Sequence, residues 1–356
     1  MESTSTKLLR SIKLQNILSY GIEFHEIELR QLNVLIGPNA SGKSNLLEVI
    51  GFLRAMPKDL NALIRESGGV DEWLWIGGID KPVAKIETIV EYAEGFKPLR
   101  CGISFSAKGQ RFEVTDEFVE EESRRRSNEE DVIFYYRYLH GNPTLNVRTE
   151  ESNTSRKKRS LRREDLSPEQ SVLSQRKDPD QYPELTYLSS QFSKIRLYRE
   201  WNLGRYTPPR LPQKTDAPED FLEEDASNLG LILNDLQHRS GVRQSLIEYL
   251  KKFYGAIEDI TTKIHGGTVQ LFLHEKGLSQ PIPATRLSDG TLRYLCLLAI
   301  LCHPSPTPLL CIEEPELGLH PDIIPVVAEL LIESSRKTQL IVTTHSDALV
   351  SALSEE

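Results

Sequence analysis

The chain has 356 residues, a length typical of about two domains and sufficient for a sizeable core. Its 43 Lys and Arg residues against 52 Asp and Glu residues give a net charge of −9, which argues against a protein that coats nucleic acid but is compatible with a local basic patch. The four cysteines form no C-x-x-C pair, which favours buried, reduced thiols over disulfides or a zinc site. The first residues contain no apolar stretch of signal-peptide length, and the longest apolar run, near 292–302, stops at HPSPTP, so we expect a cytoplasmic protein that does not enter a membrane.

A glycine-rich loop follows the first strongly apolar segment. The strand Asn33–Ile36 leads into GPNASGKS, and the residues after it have the apolar spacing of a helix. Strand, loop and helix in this order are the context of a phosphate-binding loop, although a glycine turn before an ordinary helix is the simpler alternative. Glycines let backbone N–H groups approach a β-phosphate, Lys43 can reach β and γ oxygens, and Ser44 can ligand Mg²⁺. The pattern predicts nucleoside triphosphate binding by Gly37, Pro38, Asn39, Ala40, Ser41, Gly42, Lys43, Ser44 and Asn45.

Segments 83–93, 99–106, 110–118 and 131–138 alternate apolar and polar residues, as strands do. We interpret them as a β-rich lobe attached to the first half of the protein.

The chain becomes polar and highly charged between about residues 119 and 180. It contains the basic block Arg156, Lys157, Lys158 and Arg159, followed by Arg162 and Arg163. The simpler interpretation is a solvated, mobile loop or helix, and the alternative is a contact with nucleic acid or a protein partner through 156–163. No aromatic residue interrupts the block, which argues against base stacking with a single strand.

The region 182–201 has the pattern of a helix followed by a strand. Gln191 within it is either a glutamine that ligands Mg²⁺ or an ordinary surface amide. A proline-rich connector then leads to helices near 228–238 and 243–254 and to two strands, IEDITTKIH and TVQLFLHEK. No sustained heptads appear, so we expect no long coiled-coil arm.

The segment RLSDGTLRYL, residues 286–295, resembles a second phosphate-binding helix start. Ser288 can donate a hydrogen bond, Gly290 lets the backbone approach a ligand, and a helix from Thr291 onwards would present its positive end. Taken alone, the same segment is equally consistent with an N-capped helix that binds nothing.

Two carboxylates follow a short apolar strand, Leu309–Ile312. In an open α/β sheet, ligands bind at the carboxyl ends of the strands, which is where Glu313 and Glu314 stand. Adjacent strand residues point to opposite faces, so we assign Glu313 to the Mg²⁺ shell and Glu314 to polarising the attacking water. An acidic strand end exposed to solvent is the alternative.

A second apolar strand, Leu340–Val342, ends in Thr344-His345-Ser346. A single histidine after a strand is most often structural. Its position one helix beyond the acidic strand makes His345 a candidate for contacting the γ-phosphate.

The four motifs, in this order, resemble the ABC-class ATPases of the SMC, RecF and OLD (overcoming-lysogenisation-defect) kind, and the opening LLRSIKLQNILSYGIEFHEIELRQLNVLIGPNASGKSN is similar to the start of those heads. The resemblance implies an α/β P-loop NTPase head of the ABC type, a mixed sheet flanked by helices, that uses ATP and Mg²⁺. It also implies a homodimer, or a higher oligomer, in which Ser288, Asp289 and Gly290 of one head bind ATP held by the other.

The motifs divide the chain into three segments: 1–118 with the phosphate loop and β lobe, 119–225 as an inserted polar and helical region with the connector, and 226–356 with the remaining motifs. Two functions stay open. One is an ATP-driven switch that controls a separate effector, such as a nuclease in bacterial anti-phage defence. We expect no C-terminal nuclease domain like that of OLD proteins, so any nuclease would be a separate chain. The other is a DNA-binding head for repair or chromosome maintenance.

Overall fold

The computed structural model describes residues 7–78, 80–93, 95, 97–123, 132–139, 142–149, 152–160, 166–305 and 307–354, with the backbone alone at 139, 147–149 and 152–160. Within these ranges, no helix has the length and apolar character needed to cross a membrane. The four cysteines are thiols, and three of them are buried, as expected.

Strands and helices alternate in blocks along the chain. The strands are β1 (Leu9–Gln15), β2 (His25–Glu28), β3 (Leu32–Ile36), β4 (Ala84–Val90), β5 (Leu99–Lys108), β6 (Arg111–Glu121), β7 (Phe134–Leu139), β8 (Asn142–Thr149), β9 (Ser152–Ser160), β10 (Arg196–Tyr198), β11 (Gln213–Lys214), β12 (Ile257–His265), β13 (Thr268–Glu275), β14 (Ile282–Pro283), β15 (Leu309–Glu313) and β16 (Gln339–Thr344). The helices are α1 (Lys43–Ala55), α2 (Leu60–Glu66), α3 (Val172–Gln175), α4 (Pro183–Ser193), α5 (Leu229–His238), α6 (Ser240–Phe253), α7 (Asp289–Leu301), α8 (Ile324–Ser335) and α9 (Asp347–Ser354).

Two compact units share these elements. The parallel-sheet unit contains the described parts of Leu32–Pro38 and Arg196–Glu356, and the antiparallel-sheet unit contains those of Thr6–Gln31 and Asn39–Ile195. The units are therefore interleaved along the chain, whereas the motifs divide it into three successive segments. That division stays a prediction.

The antiparallel-sheet unit is built on eight strands in the order β2-β1-β4-β5-β6-β7-β8-β9. Alternation makes one face of this sheet apolar, as in β4, where Ala84, Ile86 and Val90 are buried. Helix α1 has its apolar residues at helical spacing and buries Phe52, whose ring stacks on that of Phe105 in β5 at 5.1 Å. The apolar stripe of α1 thus covers the apolar face of the sheet.

The basic block lies on a strand, which corrects the expectation of a loop or helix. Arg156–Arg159 belong to β9, and β9 pairs antiparallel with β8, with Lys158 opposite Asn146. SNTSRKKRS has no apolar alternation, so backbone pairing with β8 determines its conformation, and a pattern-based reading cannot detect it. Arg162 and Arg163 lie outside the described residues.

The parallel-sheet unit contains a four-stranded parallel sheet in the order β10-β15-β16-β3. A smaller antiparallel sheet, β11-β13-β12 with β14 beside β13, belongs to the same unit. Helix α7 is buried along most of its length and joins the core with α5 and α8. The hydrophobic runs of β15 and β16 are continuous because their described residues are almost all buried, as expected for central parallel strands.

Candidate nucleotide-binding site

The carboxyl ends of three parallel strands meet at one edge of the parallel sheet. Thr344 at the end of β16 is paired with Ile36 at the end of β3, and Glu313 at the end of β15 is paired with Thr343. The acidic pair, the TTHS segment and the start of the glycine-rich loop therefore leave the sheet at the same edge, which is where open α/β sheets bind ligands.

The glycine-rich loop continues from β3 into α1. Gly42 is the N-cap of α1 with a φ of 91°, and a Cβ at this position would lie 3.0 Å from the Ser19 hydroxyl oxygen. The left-handed backbone favours glycine here, and a Cβ would also require the Ser19 side chain to shift. The Tyr20 hydroxyl donates to the Gly42 carbonyl at 3.4 Å, and Lys43 Nζ donates to Ser41 Oγ at 3.4 Å. Within the loop, the exposed residues are Pro38, Asn39, Ala40, Ser41 and Ser44, while Gly37, Gly42, Lys43 and Asn45 are half-buried.

Glu313 is held by an arginine that the sequence did not indicate. Arg199, one residue past β10, donates from Nε to Glu313 Oε2 at 3.1 Å, and both side chains are largely shielded from solvent. Because β10 lies next to β15 in the sheet, the residue after β10 and the last residue of β15 come together.

Glu314 leaves the strand conformation. Its φ is 46°, in the left-handed region, although its N–H still donates to the Thr343 carbonyl at 3.0 Å. The alternation argument for opposite faces therefore ends at Glu313, since it applies only to extended backbone. Glu314 Oε1 lies 3.7 Å from His345 Nε2, so the structure brings these two predicted residues together.

Thr344, the residue before His345, also makes hydrogen bonds at the carboxyl edge of the parallel sheet. The Thr344 hydroxyl donates to Glu316 Oε1 and accepts from the Ser346 N–H at 2.9 Å. Ser346 in turn accepts from the Leu349 N–H at 3.3 Å in the first turn of α9. These bonds fix the backbone on both sides of His345, which is itself exposed.

The segment 286–295 forms the start of α7. The helix begins at Asp289, two residues before the predicted Thr291, and Ser288 is its N-cap, accepting from the Thr291 N–H at 3.0 Å. The Ser288 and Thr291 hydroxyls are 2.8 Å apart, and either can be the donor. A Cβ on Gly290 would lie 2.8 Å from the Gly318 carbonyl oxygen, so close backbone packing requires glycine here.

A buried arginine is bonded to the same segment. The Arg210 guanidinium pairs with the Asp289 carboxylate, donates to the Leu287 carbonyl, and donates to the carbonyls of Leu203 at 2.8 Å and Ala284 at 3.4 Å. The structure thus gives Asp289 a partner within its own chain.

Helix α7 also contacts the turn that contains Glu314. Arg293 donates to the Glu314 carbonyl at 3.4 Å, and its guanidinium lies 5.2 Å from the centre of the Trp201 ring. Burial lowers the pKa of Arg293 from its ordinary value. The start of α7 and the acidic strand end are therefore connected within one unit.

Comparison with known proteins assigns the chain to a family. The AAA_21 family, described as "AAA domain, putative AbiEii toxin, Type IV TA system", matches residues 32–351. The chain belongs to this family. The match contains the glycine-rich loop, the segment 286–295, the acidic pair and the TTHS segment, and no curated protein sequence matches the chain.

Two solved structures resemble this AAA_21 protein in fold. The Smc head bound to the C-winged helix domain of ScpA has a TM-score of 0.59 at 13% identity, covering 97% of this chain and 92% of that one. The Smc head with an extended coiled coil bound to the C-terminal domain of ScpA, from Pyrococcus furiosus, has a TM-score of 0.57 at 12% identity, covering 97% and 91%. The chain is therefore an AAA-domain protein with the fold of these heads, and the predicted α/β fold class is confirmed.

The predicted metal ligands have the donor chemistry that Mg²⁺ prefers. Among the described residues, no group of three or more His, Cys, Asp or Glu side chains could hold a metal ion by itself. The predicted ligands Ser44 and Glu313 are oxygen donors, and Mg²⁺ usually combines one or two such groups with phosphate oxygens and water. P-loop ATPases of this kind use ATP and Mg²⁺ in general.

Gln191, the third predicted metal ligand, lies in the last turn of α4 in the antiparallel-sheet unit of the AAA_21 protein. It is half-buried, and its carbonyl accepts from the Lys194 N–H at 3.2 Å. Its role as a ligand stays a prediction.

Proposed function

We propose that this ATPase binds and hydrolyses ATP and that two copies close head to tail around the nucleotide. One observation supports the second part best: the chain has two helix starts with the chemistry of a phosphate site. Gly42 and Lys43 begin α1, while an exposed Ser288 and Gly290 begin α7. A single ATP needs one of them, and a second copy of the chain supplies a use for the other.

Each residue at the proposed site has a separate role in the reaction. The backbone from Gly37 to Asn45 and the Lys43 ammonium bind the β and γ phosphates, while Ser44 and Glu313 would hold Mg²⁺, which would neutralise charge on the phosphate oxygens. Glu314 accepts a proton from the attacking water. His345, whose Nε2 lies 3.7 Å from the Glu314 carboxylate, contacts the γ-phosphate and registers its loss.

Mixing two inactive variants tests the head-to-tail arrangement. Ser288→Arg blocks the start of α7, and Lys43→Ala disables the P-loop, but their heterodimer combines one intact P-loop with one intact α7 start. Random exchange makes about half of the dimers mixed, each with one working site of two, so about a quarter of the parental ATPase activity should return. Native mass spectrometry establishes that heterodimers form.

If Ser288→Arg alone hydrolyses ATP at the parental rate as a monomer, Ser288 is only a helix cap. If verified heterodimers recover no activity, the head-to-tail site is wrong.

We further propose that ATP-driven closure controls a separate effector protein in the cytoplasm, a nuclease acting in anti-phage defence. The family description, which includes a toxin of a toxin–antitoxin system, supports a defence role, and the two Smc heads show that this fold can carry a separate protein. The products of neighbouring genes, co-expressed with tagged Glu314→Gln or Lys43→Ala protein, provide the test. We expect Glu314→Gln to hold ATP and Lys43→Ala to bind none. An effector should be retained by only one of these two variants, whereas equal retention by both, or retention by neither, would contradict the proposal.

The basic strand supports DNA binding as a second candidate function. Four consecutive basic residues, Arg156–Arg159, lie on β9 at the end of the eight-stranded sheet. If they contact phosphates, replacing them together with Arg162 and Arg163 by Gln should weaken duplex binding. The slope of log affinity against log salt should fall by about 0.9 for each lost contact. Unchanged binding at every salt concentration would exclude phosphate contacts by this block.

A further inference from the structure

We infer that Arg210 is a positioning residue for the α7 start and that Asp289 is its counter-ion rather than a ligand of the partner's ATP. The inference rests on the proposed head-to-tail dimer. Asp289 then pairs with Arg210 instead of binding nucleotide. Arg210 lies in the proline-rich connector, where no sequence motif indicates function.

The bonds of Arg210 surround the capping serine. Its guanidinium donates to the carbonyl of Leu287, immediately before Ser288, and pairs with the carboxylate of Asp289, immediately after it. The same side chain is anchored to the carbonyl of Leu203 at 2.8 Å. Only 7% of the Arg210 side chain is exposed, so these bonds form in a place that water does not readily enter. Arg210 therefore fixes the direction in which Ser288 faces.

The charge of Asp289 gives a second reason for the arginine. The Asp289 side chain is 73% exposed and stands beside Ser288, which the proposed dimer places at the partner's ATP. A carboxylate can only accept hydrogen bonds and carries the same sign of charge as the phosphate, so by itself it would repel the ligand. The fixed positive charge of Arg210 offsets it and preserves the attraction of the α7 amino terminus for an anion.

Arg210→Lys tests the positioning of the α7 start separately from the effect of the positive charge. Lysine keeps the positive charge but lacks the planar fork that reaches several acceptors at once. We expect its ATPase activity to fall at least about 10-fold, because misplacing a binding group by about 1 Å can lower the rate about 10²-fold. The matched control is Arg239→Lys, which makes the same change at an exposed arginine paired with Asp235, and it should keep parental activity.

Mixing distinguishes positioning from a loss of folding. Arg210→Lys damages only the α7 start, so its heterodimer with Lys43→Ala should recover about a quarter of the parental activity, as the Ser288→Arg mixture does. An unfolded chain would recover nothing. If the Ser288→Arg mixture recovers and the Arg210→Lys mixture does not, the inference is wrong and the proposed dimer stands. If neither recovers, the proposed dimer is wrong and the inference falls with it.

A double variant tests the charge argument. Arg210→Gln leaves the Asp289 carboxylate uncompensated, and adding Asp289→Asn removes that charge. We expect the double variant to hydrolyse ATP at least about 5-fold faster than Arg210→Gln, since these neighbouring changes are not additive. If Asp289 instead binds the partner's ATP, the double variant will be no faster than Arg210→Gln, and the inference is overturned.

Discussion

Glu314 has a conformation that few non-glycine residues adopt. A left-handed φ of 46° costs on the order of 1–3 kcal/mol, and it persists only where neighbours determine the backbone. The Glu314 N–H donates to Thr343 at 3.0 Å and its carbonyl accepts from Arg293 at 3.4 Å, so both sides of the residue are held. Such backbone strain is common at reactive positions, in agreement with the proposed role of this carboxylate.

The first prediction concerns this carboxylate. Glu314→Gln should bind ATP with parental affinity but hydrolyse it about 10²–10⁴-fold more slowly, because the amide cannot accept a proton from water. Lys43→Ala should lose ATP binding itself. Fluorescent-nucleotide titration and a phosphate-release assay measure the two quantities. Asp322→Asn, which also changes a carboxylate to an amide but at an exposed residue outside the proposed site, serves as the control.

Parental turnover by Glu314→Gln would move the general-base role elsewhere, with Glu313 as the next candidate. Loss of ATP binding in this variant would show that the carboxylate contributes to ATP binding rather than to activation of the attacking water.

The sequence indicates which candidate residues follow the strands but not which side chains bond to them. Glu313, Glu314 and His345 follow apolar runs, and parallel strands end at one edge, so their proximity was predictable. Arg199 and Arg210 reach partners 114 and 79 residues away in sequence. No local pattern encodes such pairs, because they depend on which strands and turns become neighbours in the fold.

At the scale of elements, a buried carboxylate joins β6 to α3. Glu117 accepts from the Ser171 hydroxyl at 2.5 Å and from the Val172 N–H at 2.9 Å. Burial raises the pKa of this carboxyl from its ordinary value of 4.5 to about 7, although the two hydrogen bonds oppose the shift. The folded protein therefore holds this proton more tightly than the unfolded chain does.

A second prediction follows from that raised pKa. Stability that comes from the bound proton is fully present below about pH 4.5 and is lost as the pH rises through about 7. The free energy of unfolding of the parent should thus fall relative to that of Glu117→Gln over this range, by up to about 3 kcal/mol. Urea denaturation of both proteins at several pH values measures the difference. The exposed Glu66→Gln provides the baseline, and a difference that does not vary with pH would exclude Glu117 as the titrating group.

Amphipathic elements were predictable and the basic strand was not. The alternation in β4 to β6 and the helical spacing in α5 and α6 indicated their type and approximate bounds, because each buries one face. Strand β9 has no such face in its sequence. Its conformation depends on β8, which composition alone does not reveal.

At the scale of the whole molecule, ATP should govern how many chains associate. If the α7 start of one copy closes over the ATP of another, slow hydrolysis by Glu314→Gln should trap the closed form. Analytical ultracentrifugation should then give about twice the 40.5 kDa mass of one chain with ATP and Mg²⁺, and a single-chain mass without them. Lys43→Ala should remain a monomer both with and without ATP and Mg²⁺. An identical mass for Glu314→Gln with and without ATP would contradict closure by nucleotide.

The position of β3 in the chain has a consequence for biosynthesis. This strand is made early, yet its hydrogen-bonding partner β16 ends at Thr344, the residue that pairs with Ile36. At about 5–20 residues per second, a ribosome needs roughly 15–60 s to produce the intervening chain. During that interval the apolar segment LNVLI has no native partner strand. The nascent polypeptide therefore exposes an unpaired apolar strand that is prone to chaperone binding or aggregation. The yield of folded protein should therefore depend on how fast the part of the message between β3 and β16 is translated.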